Sequence, residues 1–408
     1  MILDIIDKKR VGKELSYKEL DYFFNGYLNG DICDYQMSAF LMAVCINGMT
    51  DEEVFALTKI FVDSGDCLDF SSIPGIKVDK HSTGGIGDKT TFVVASIVAS
   101  LGVPVIKMSG RGLGYTGGTI DKLESIKGYK TNLTEKEIIK QVKDINFVLT
   151  GQTHDLVPMD KIVYALRDVT ATVKSIPLIA SSIMSKKIAA GADKILIDIK
   201  VGNGAFLTNK EDAKELGNLM VKIGKIYDRE VRYVISDMNT PLGRTVGNGL
   251  EVEEAIDVLK GKETNNSFVD LCIDLASELA SMGLEIEKEE AKKLVLKSIE
   301  DKSAYKKFAE LIEYQGGDIN NIEISHKRYV IKSNKNGILN KINALEVGKL
   351  SLELGAGKLN IKDKIDYGVG VKLNKLVGEK VKKGDILATL YVNDKVPRVD
   401  IDKIFTIV

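Results

Sequence analysis

The chain has 408 residues, of which 44% are hydrophobic and 28% charged, and a formal net charge of -1. That balance gives no global attraction for nucleic acid or an anionic membrane, so any anion must be held by a local set of donors. The length exceeds what one core usually serves, and four cysteines without CxxC spacing exclude a disulfide framework or a zinc site in favour of buried thiols in a reducing compartment. No apolar run reaches membrane-spanning length and the segment MILDIIDKKR lacks a cleavable apolar core, so a cytoplasmic location is expected.

Residues 1–66 read as helices. Ser16 with Glu19 and Thr50 with Glu53 fit capping boxes, and each pair precedes apolar residues at helical spacing (Leu20, Phe23, Phe24, Tyr27; Val54, Leu57, Ile60, Phe61). Residues 37–44 are apolar nearly all round, which predicts a helix central to a small bundle. From Ile76 the pattern alternates: strands at 77–79, 103–108 and 145–149, with a helix at 91–101. Such alternation predicts a sheet covered on its faces, with successive turns gathered at one edge. Helical period returns at 161–173 and 183–190, followed by a strand at 194–200, an amphipathic helix at 209–227 and a strand at 231–236.

The expected class is α/β. A discontinuous helical domain (1–66 and 160–190) accompanies a large mixed-sheet α/β domain (67–159 and 191–334) and a C-terminal α+β region (335–408). Within the last, YGVGVKLNKLVGEKVKKGDILATLYV resembles a lipoyl-like (barrel-sandwich hybrid) fold, but no lysine sits between acidic or methionine neighbours at a hairpin tip, where a lipoyl or biotinyl group would attach.

Two glycine turns carry the chemistry. In VDKHSTGGIGDKTT a strand ends, turns through glycines and opens a helix, which presents backbone N–H groups and a helix dipole to an anion. Lys80 adds charge, Ser82, Thr83 and Thr91 add hydroxyls, and His81 stands at the lip. The next strand ends in KMSGRGLGYTGGT, where Ser109 and Thr119 supply hydroxyls and Lys107, Arg111 and Lys122 supply cations. Gly112, Gly114 and Gly117 have the spacing of a dinucleotide fingerprint, but start beyond the strand and lack the ribose-reading acid. Either turn alone is as well explained as a structural connection. Together, at consecutive strand ends, they point to a site for phosphate or a phosphate ester without a metal. Tyr164, Arg167, Ser182 and Lys186 form a second candidate cluster, although an i,i+4 Ser–Lys pair alone is usually a solvated face. His154 and His326 have no comparable surroundings.

KHSTGGIGDKTT, KMSGRGLGYTGGTIDKLE, YALRDVTATVKSIPLIASSIMSKK and DIKVGNGAF, in that order, resemble the pyrimidine-nucleoside and thymidine phosphorylase family nearly end to end. The resemblance implies a homodimeric pentosyltransferase that cleaves a pyrimidine nucleoside with inorganic phosphate, giving free base and (deoxy)ribose 1-phosphate. It implies no required cofactor and neither a nucleic acid nor a membrane as partner. Carried over by position, it implies phosphate binding by Lys80, His81, Ser82, Thr91, Lys107, Met108, Ser109 and Thr119. Arg167, Ser182 and Lys186 would grip the pyrimidine with Tyr164 at its side, and His81, Arg167 and Lys186 would serve catalysis.

Lys107 stands where strict thymidine phosphorylases carry methionine, so the resemblance implies a broad enzyme acting on uridine, thymidine and deoxyuridine, with strict thymidine phosphorolysis as the alternative. Tyr115 stands where the family often has histidine. Broad relatives also bind a monovalent cation, at positions corresponding to Gly87, Lys89, Leu242, Thr245 and Glu254, and Lys89 replaces their threonine. Two readings stand: K+ held by backbone carbonyls, or a Lys89 ammonium paired with Glu254 in its place. The nearest enzyme rival is an anthranilate phosphoribosyltransferase-like protein, which shares the layout but would need magnesium and a diphosphate sugar. A sensor without catalysis would require a damaged site, and none of the expected residues is missing.

Overall fold

The computed structural model describes residues 1–112, 115, 117–152, 156–263, 266–358, 363–393 and 396–408. Gly114 of the fingerprint-like spacing and His154 therefore lie outside the described residues.

The chain opens with α1 (Ile2–Arg10), α2 (Tyr17–Leu28), α3 (Asp34–Asn47) and α4 (Asp51–Asp63). Both expected capping boxes form, satisfying N–H groups that would otherwise lack partners at the starts of α2 and α4. Phe23, Phe24, Phe40 and Phe61 meet at ring centroids 4.7–6.1 Å apart and seal the bundle.

Alternation follows: β1 (Val78–Ser82), α5 (Thr90–Ser100), β2 (Val105–Ser109), α6 (Thr119–Glu124), α7 (Glu135–Ile145) and β3 (Phe147–Gly151). Then come α8 (Pro158–Val169), α9 (Ile176–Ala189), β4 (Lys194–Val201), α10 (Lys210–Ile226) and β5 (Glu230–Asp237). These strands form one sheet in the order β3-β2-β1-β4-β5, with β1, β2 and β3 parallel. Helix α5 is rich in β-branched residues and weak in intrinsic helix propensity; its burial from Thr90 to Ala99 in the main core overrides that. Proline in the first turn of α9 lets that helix begin at Ile176, a turn or more before the expected start, so Ser181 and Ser182 lie inside it.

The remainder comprises β6 (Thr245–Val246), α11 (Asn248–Leu259), α12 (Ser267–Leu284), α13 (Lys288–Glu300), α14 (Ser303–Tyr314), β7 (Lys327–Lys332) and β8 (Gly337–Ile342). It ends with α15 (Ala344–Ser351), β9 (Gly370–Leu373), β10 (Lys380–Val381), β11 (Ile386–Val392), α16 (Ile401–Ile404) and β12 (Phe405–Ile407). Two small sheets, β10-β8-β12 and β6-β9-β11-β7, are built from antiparallel pairs. The C-terminal region thus has the expected α+β character.

Packing divides the chain into two units: 1–72, 153–195 and 210–232; and 73–152, 196–209 and 233–408. Two boundaries differ from the expected ones. Helix α10 belongs to the helical unit because its apolar face (Ala213, Leu216, Met220, Ile223) is buried and the helix packs on α9 and α4. Residue 335 is no packing boundary. Strand β6 joins β9, and Leu339, Ile342, Val371 and Leu373 share one core with Val78 and Phe92. Among the described residues, no helix is long and apolar enough to cross a membrane.

Candidate active site

In the second unit, β1 and β2 are parallel neighbours, so their last residues, Ser82 and Ser109, come to the same sheet edge. Helices α5 and α6 start just after those strands, bringing Thr91 in the first turn of one and Thr119 at the start of the other. The hydroxyls of Thr91, Ser109 and Thr119 make no hydrogen bond among the described residues, whereas Ser82 Oγ donates to Asp88 Oδ2 at 2.5 Å. His81, half-buried, precedes Ser82 in β1.

The lysines near these turns each meet a carboxylate. Lys80 is 1% exposed; its Nζ donates to Thr90 Oγ1 at 2.5 Å and lies 3.2 Å from Asp198. Lys200 meets the same carboxylate at 2.6 Å. Lys107 sits 3.4 Å from Asp79 and from the Met108 carbonyl oxygen. Lys122 pairs with Glu251 at 2.7 Å and donates to the Asp88 carbonyl oxygen at 2.7 Å. Four ammonium groups therefore face the carboxylates of Asp79, Asp88, Asp198 and Glu251 in a nearly neutral platform beneath the turn. Burial pushes the Asp88 carboxyl up, but Lys200, Lys80 and Lys122 outweigh it and hold it well below the usual carboxylate range. Arg111, expected as a phosphate cation, instead bridges Asp121 (3.0 Å) and Glu124 (2.6 Å), and Asp121 also accepts from the Gly112 N–H at 2.6 Å. It fastens the second turn. A cavity of about 150 Å³ lined by Tyr115, Asn248 and Glu251 adjoins that turn; it is smaller than ordinary ligand pockets.

Sequence reasoning missed Asp79, Asp88, Asp198, Lys200 and Glu251. One signal was present. In β4, Asp198 and Lys200 alternate with Ile197 and Ile199, which places two charges on one face of a strand buried throughout after its first residue.

In the first unit, Asp160, Tyr164 and Arg167 lie on α8, and Ser182 and Lys186 on α9. Lys186 Nζ donates to Ser182 Oγ at 2.8 Å and to Asp160 Oδ2 at 2.6 Å; its side chain is 20% exposed and that of Asp160 3%. An ammonium has three N–H donors, so among the described residues one has no partner and can serve a ligand. The Tyr164 ring stands 5.4 Å from Lys186 Nζ and 5.5 Å from the Arg167 guanidinium. Arg167 is 1% exposed and donates to the carbonyl oxygens of Thr172 (3.2 Å), Leu178 (3.1 Å) and Val173 (2.8 Å). Its first task is to hold the 170–178 connection, and two of its five N–H groups have no partner among the described residues. Asp160 was another residue the sequence did not single out.

Gly87, Lys89, Leu242, Thr245 and Glu254 do assemble. Lys89 Nζ stands 2.7 Å from the Leu242 carbonyl oxygen, 2.9 Å from that of Thr245 and 2.8 Å from Glu254 Oε2.

Comparison with known proteins agrees with this layout. Residues 3–65 match the glycosyl transferase family helical bundle domain, 75–305 the glycosyl transferase family a/b domain, and 338–404 the pyrimidine nucleoside phosphorylase C-terminal domain. A pyrimidine-nucleoside phosphorylase of Staphylococcus haemolyticus is 51% identical over 96% of this chain and 92% of its own length. One of Staphylococcus aureus is 48% identical over 99% and 94%. In structure, anthranilate phosphoribosyltransferase from Thermus thermophilus aligns over 76% of this chain and 99% of its own, with TM-score 0.60 and 16% identity, a likeness of fold alone. With sequence matches at these identities along nearly its whole length, the chain belongs to the pyrimidine-nucleoside phosphorylase family, built on the glycosyl transferase helical and a/b domains.

Proposed function

We propose that the protein catalyses reversible phosphorolysis of pyrimidine nucleosides. A phosphate oxygen forms a bond to C1′ while the glycosidic C–N bond breaks. Its electron pair leaves with the pyrimidine, whose negative charge spreads onto the ring carbonyls. The observation that carries this reading is Lys186, an ammonium fixed by Ser182 and Asp160 with one N–H unspent. A fixed donor aimed at a carbonyl stabilises charge that grows in the transition state, which lowers the barrier more than it tightens ground-state binding.

Phosphate binding falls to the hydroxyls of Thr91, Ser109 and Thr119 at the start of α5 and α6, and Ser82 joins them when its O–H turns from Asp88 to the phosphate. The neutral platform beneath them positions the turn without trapping product by excess charge. His81, next to Ser82, is the group assigned to the glycosidic bond. Arg167 supports the pyrimidine site chiefly by holding its backbone. Lys107 is committed to Asp79, so it acts on the sugar through the shape and polarity of the pocket wall; acceptance of uridine, deoxyuridine and thymidine is part of the proposal. So are the homodimer and the cytoplasmic setting that the resemblance implies.

The test is incubation with uridine or thymidine, with and without phosphate and without added magnesium. Phosphate-dependent release of free base is expected. No release from any pyrimidine nucleoside would overturn the proposal, and magnesium-dependent consumption of a diphosphate sugar would favour the phosphoribosyltransferase reading.

A further inference from the structure

Lys89 is a fully buried lysine whose ammonium is surrounded as a metal ion would be. It is 0% exposed, and three oxygens from three residues lie 2.7–2.9 Å from Nζ. The Phe268 ring closes another side at 4.9 Å. Glu254 is fully engaged: it also accepts from the backbone N–H groups of Arg244 (2.7 Å) and Thr245 (2.8 Å) and from Thr245 Oγ1 (2.5 Å). The pocket is therefore built around a positive charge. It is also tightly closed. Gly87 (φ +71°) would place a Cβ 2.8 Å from the Leu242 carbonyl oxygen and 2.9 Å from that of Thr245; one on Gly243 (φ +67°) would come within 3.0 Å of Lys89 Nζ itself.

Lys89 also sits at the N-cap of α5, where the helix dipole disfavours a cation. Two carbonyls and a carboxylate offset that penalty, and the result joins two loops. The phosphate-loop segment 86–90 is bound through one ammonium to 242–245, beside the Leu242 N–H bond to the Ile86 carbonyl oxygen (3.0 Å). The monovalent cation that the resemblance implies does not fit here, because Nζ already stands where that ion would take its oxygens.

We propose that the Lys89 ammonium is a built-in cation that positions the phosphate loop, and that it makes this protein independent of potassium. Lys89 is a positioning residue: it reaches phosphate only through Thr90 and Thr91, which follow it. Removing the side chain while keeping the oxygens should convert the pocket into a true ion site of the kind that potassium or free ammonium fills.

The experiment compares the wild-type chain with Lys89→Thr in potassium chloride and in tetramethylammonium chloride at equal ionic strength. Melting temperature and phosphate-dependent base release are both read. The wild type should melt at the same temperature and turn over within about twofold in both salts. Lys89→Thr should lose turnover in tetramethylammonium and recover it in potassium, with a melting temperature roughly 2–4 °C higher in potassium. A wild type that needs potassium overturns the proposal even if the variant does not fold, and so does a folded Lys89→Thr whose melting temperature ignores potassium. The melting readout needs no nucleoside, so it stands apart from the proposed reaction.

Discussion

Lys80, Lys107, Lys122 and Lys200 are 0–4% exposed and each rests on a carboxylate, whereas Lys186 keeps 20% of its side-chain surface and one N–H in reserve. Removing four ammonium groups from water is costly, and only the matching carboxylates make it tolerable. Such lysines set the positions of strands and turns. Lys186 is anchored by Asp160 yet open, so its charge is available to something that arrives. The comparison separates cations that build a site from a cation that acts in one, a distinction residue type alone does not make.

The sharpest way to break the comparison is stability. Asp198→Asn strips Lys80 and Lys200 of their shared carboxylate and should cost about 3–5 kcal/mol in urea denaturation. Lys186→Met leaves Asp160, 3% exposed, without its ammonium, but at a more open pair, and should cost about 1–3 kcal/mol. Equal losses would mean that the two sets do not differ. Next in size are the hydroxyls: Ser109→Ala and Thr119→Ala should each raise the phosphate KM about tenfold, the worth of one hydrogen bond to a charged group, and leave the nucleoside KM unchanged.

Acid titration sharpens the same contrast. The folded pKa of Asp88 is depressed, so its stabilising effect is fully present above the unfolded value near about 4 and is lost as pH falls through the folded value. The urea-midpoint gap between wild type and Asp88→Asn should be constant from about pH 7 to 5 and shrink only in stronger acid. A gap that narrowed near neutrality would contradict the assigned pairing. Smallest is substrate choice: Lys107→Met should lower uridine turnover a few-fold more than thymidine turnover, and equal loss would separate Lys107 from sugar recognition.

Much of this fold could be read from residues whose signal is local. Ser16 with Glu19 and Thr50 with Glu53 marked their helix starts within a few positions, and the glycine turns marked the ends of β1 and β2. The hydroxyls and Lys186 were legible because their motifs are contiguous. Partners far apart in the chain were not. Asp198 lies more than a hundred residues from Lys80, and no periodicity announces that pairing. Arg111 and Lys80 carried the same apparent meaning, a cation near a phosphate turn, until their carboxylates were located. The change of texture at 335 lies close to the start of the matched C-terminal domain at 338, but it does not reveal that β9 of that region shares a sheet with β6. Lys89 is the exception, since its replacement of threonine was visible beforehand and its oxygens are those expected.

The most direct test of the division of labour is steady-state kinetics of Lys186→Ala with nucleoside and phosphate varied independently. The nucleoside KM should rise and kcat fall by roughly a hundredfold, the loss of one donor to a developing charge, while the phosphate KM stays within about twofold of wild type. A phosphate KM that rose as much as the nucleoside KM, with kcat unchanged, would contradict the account.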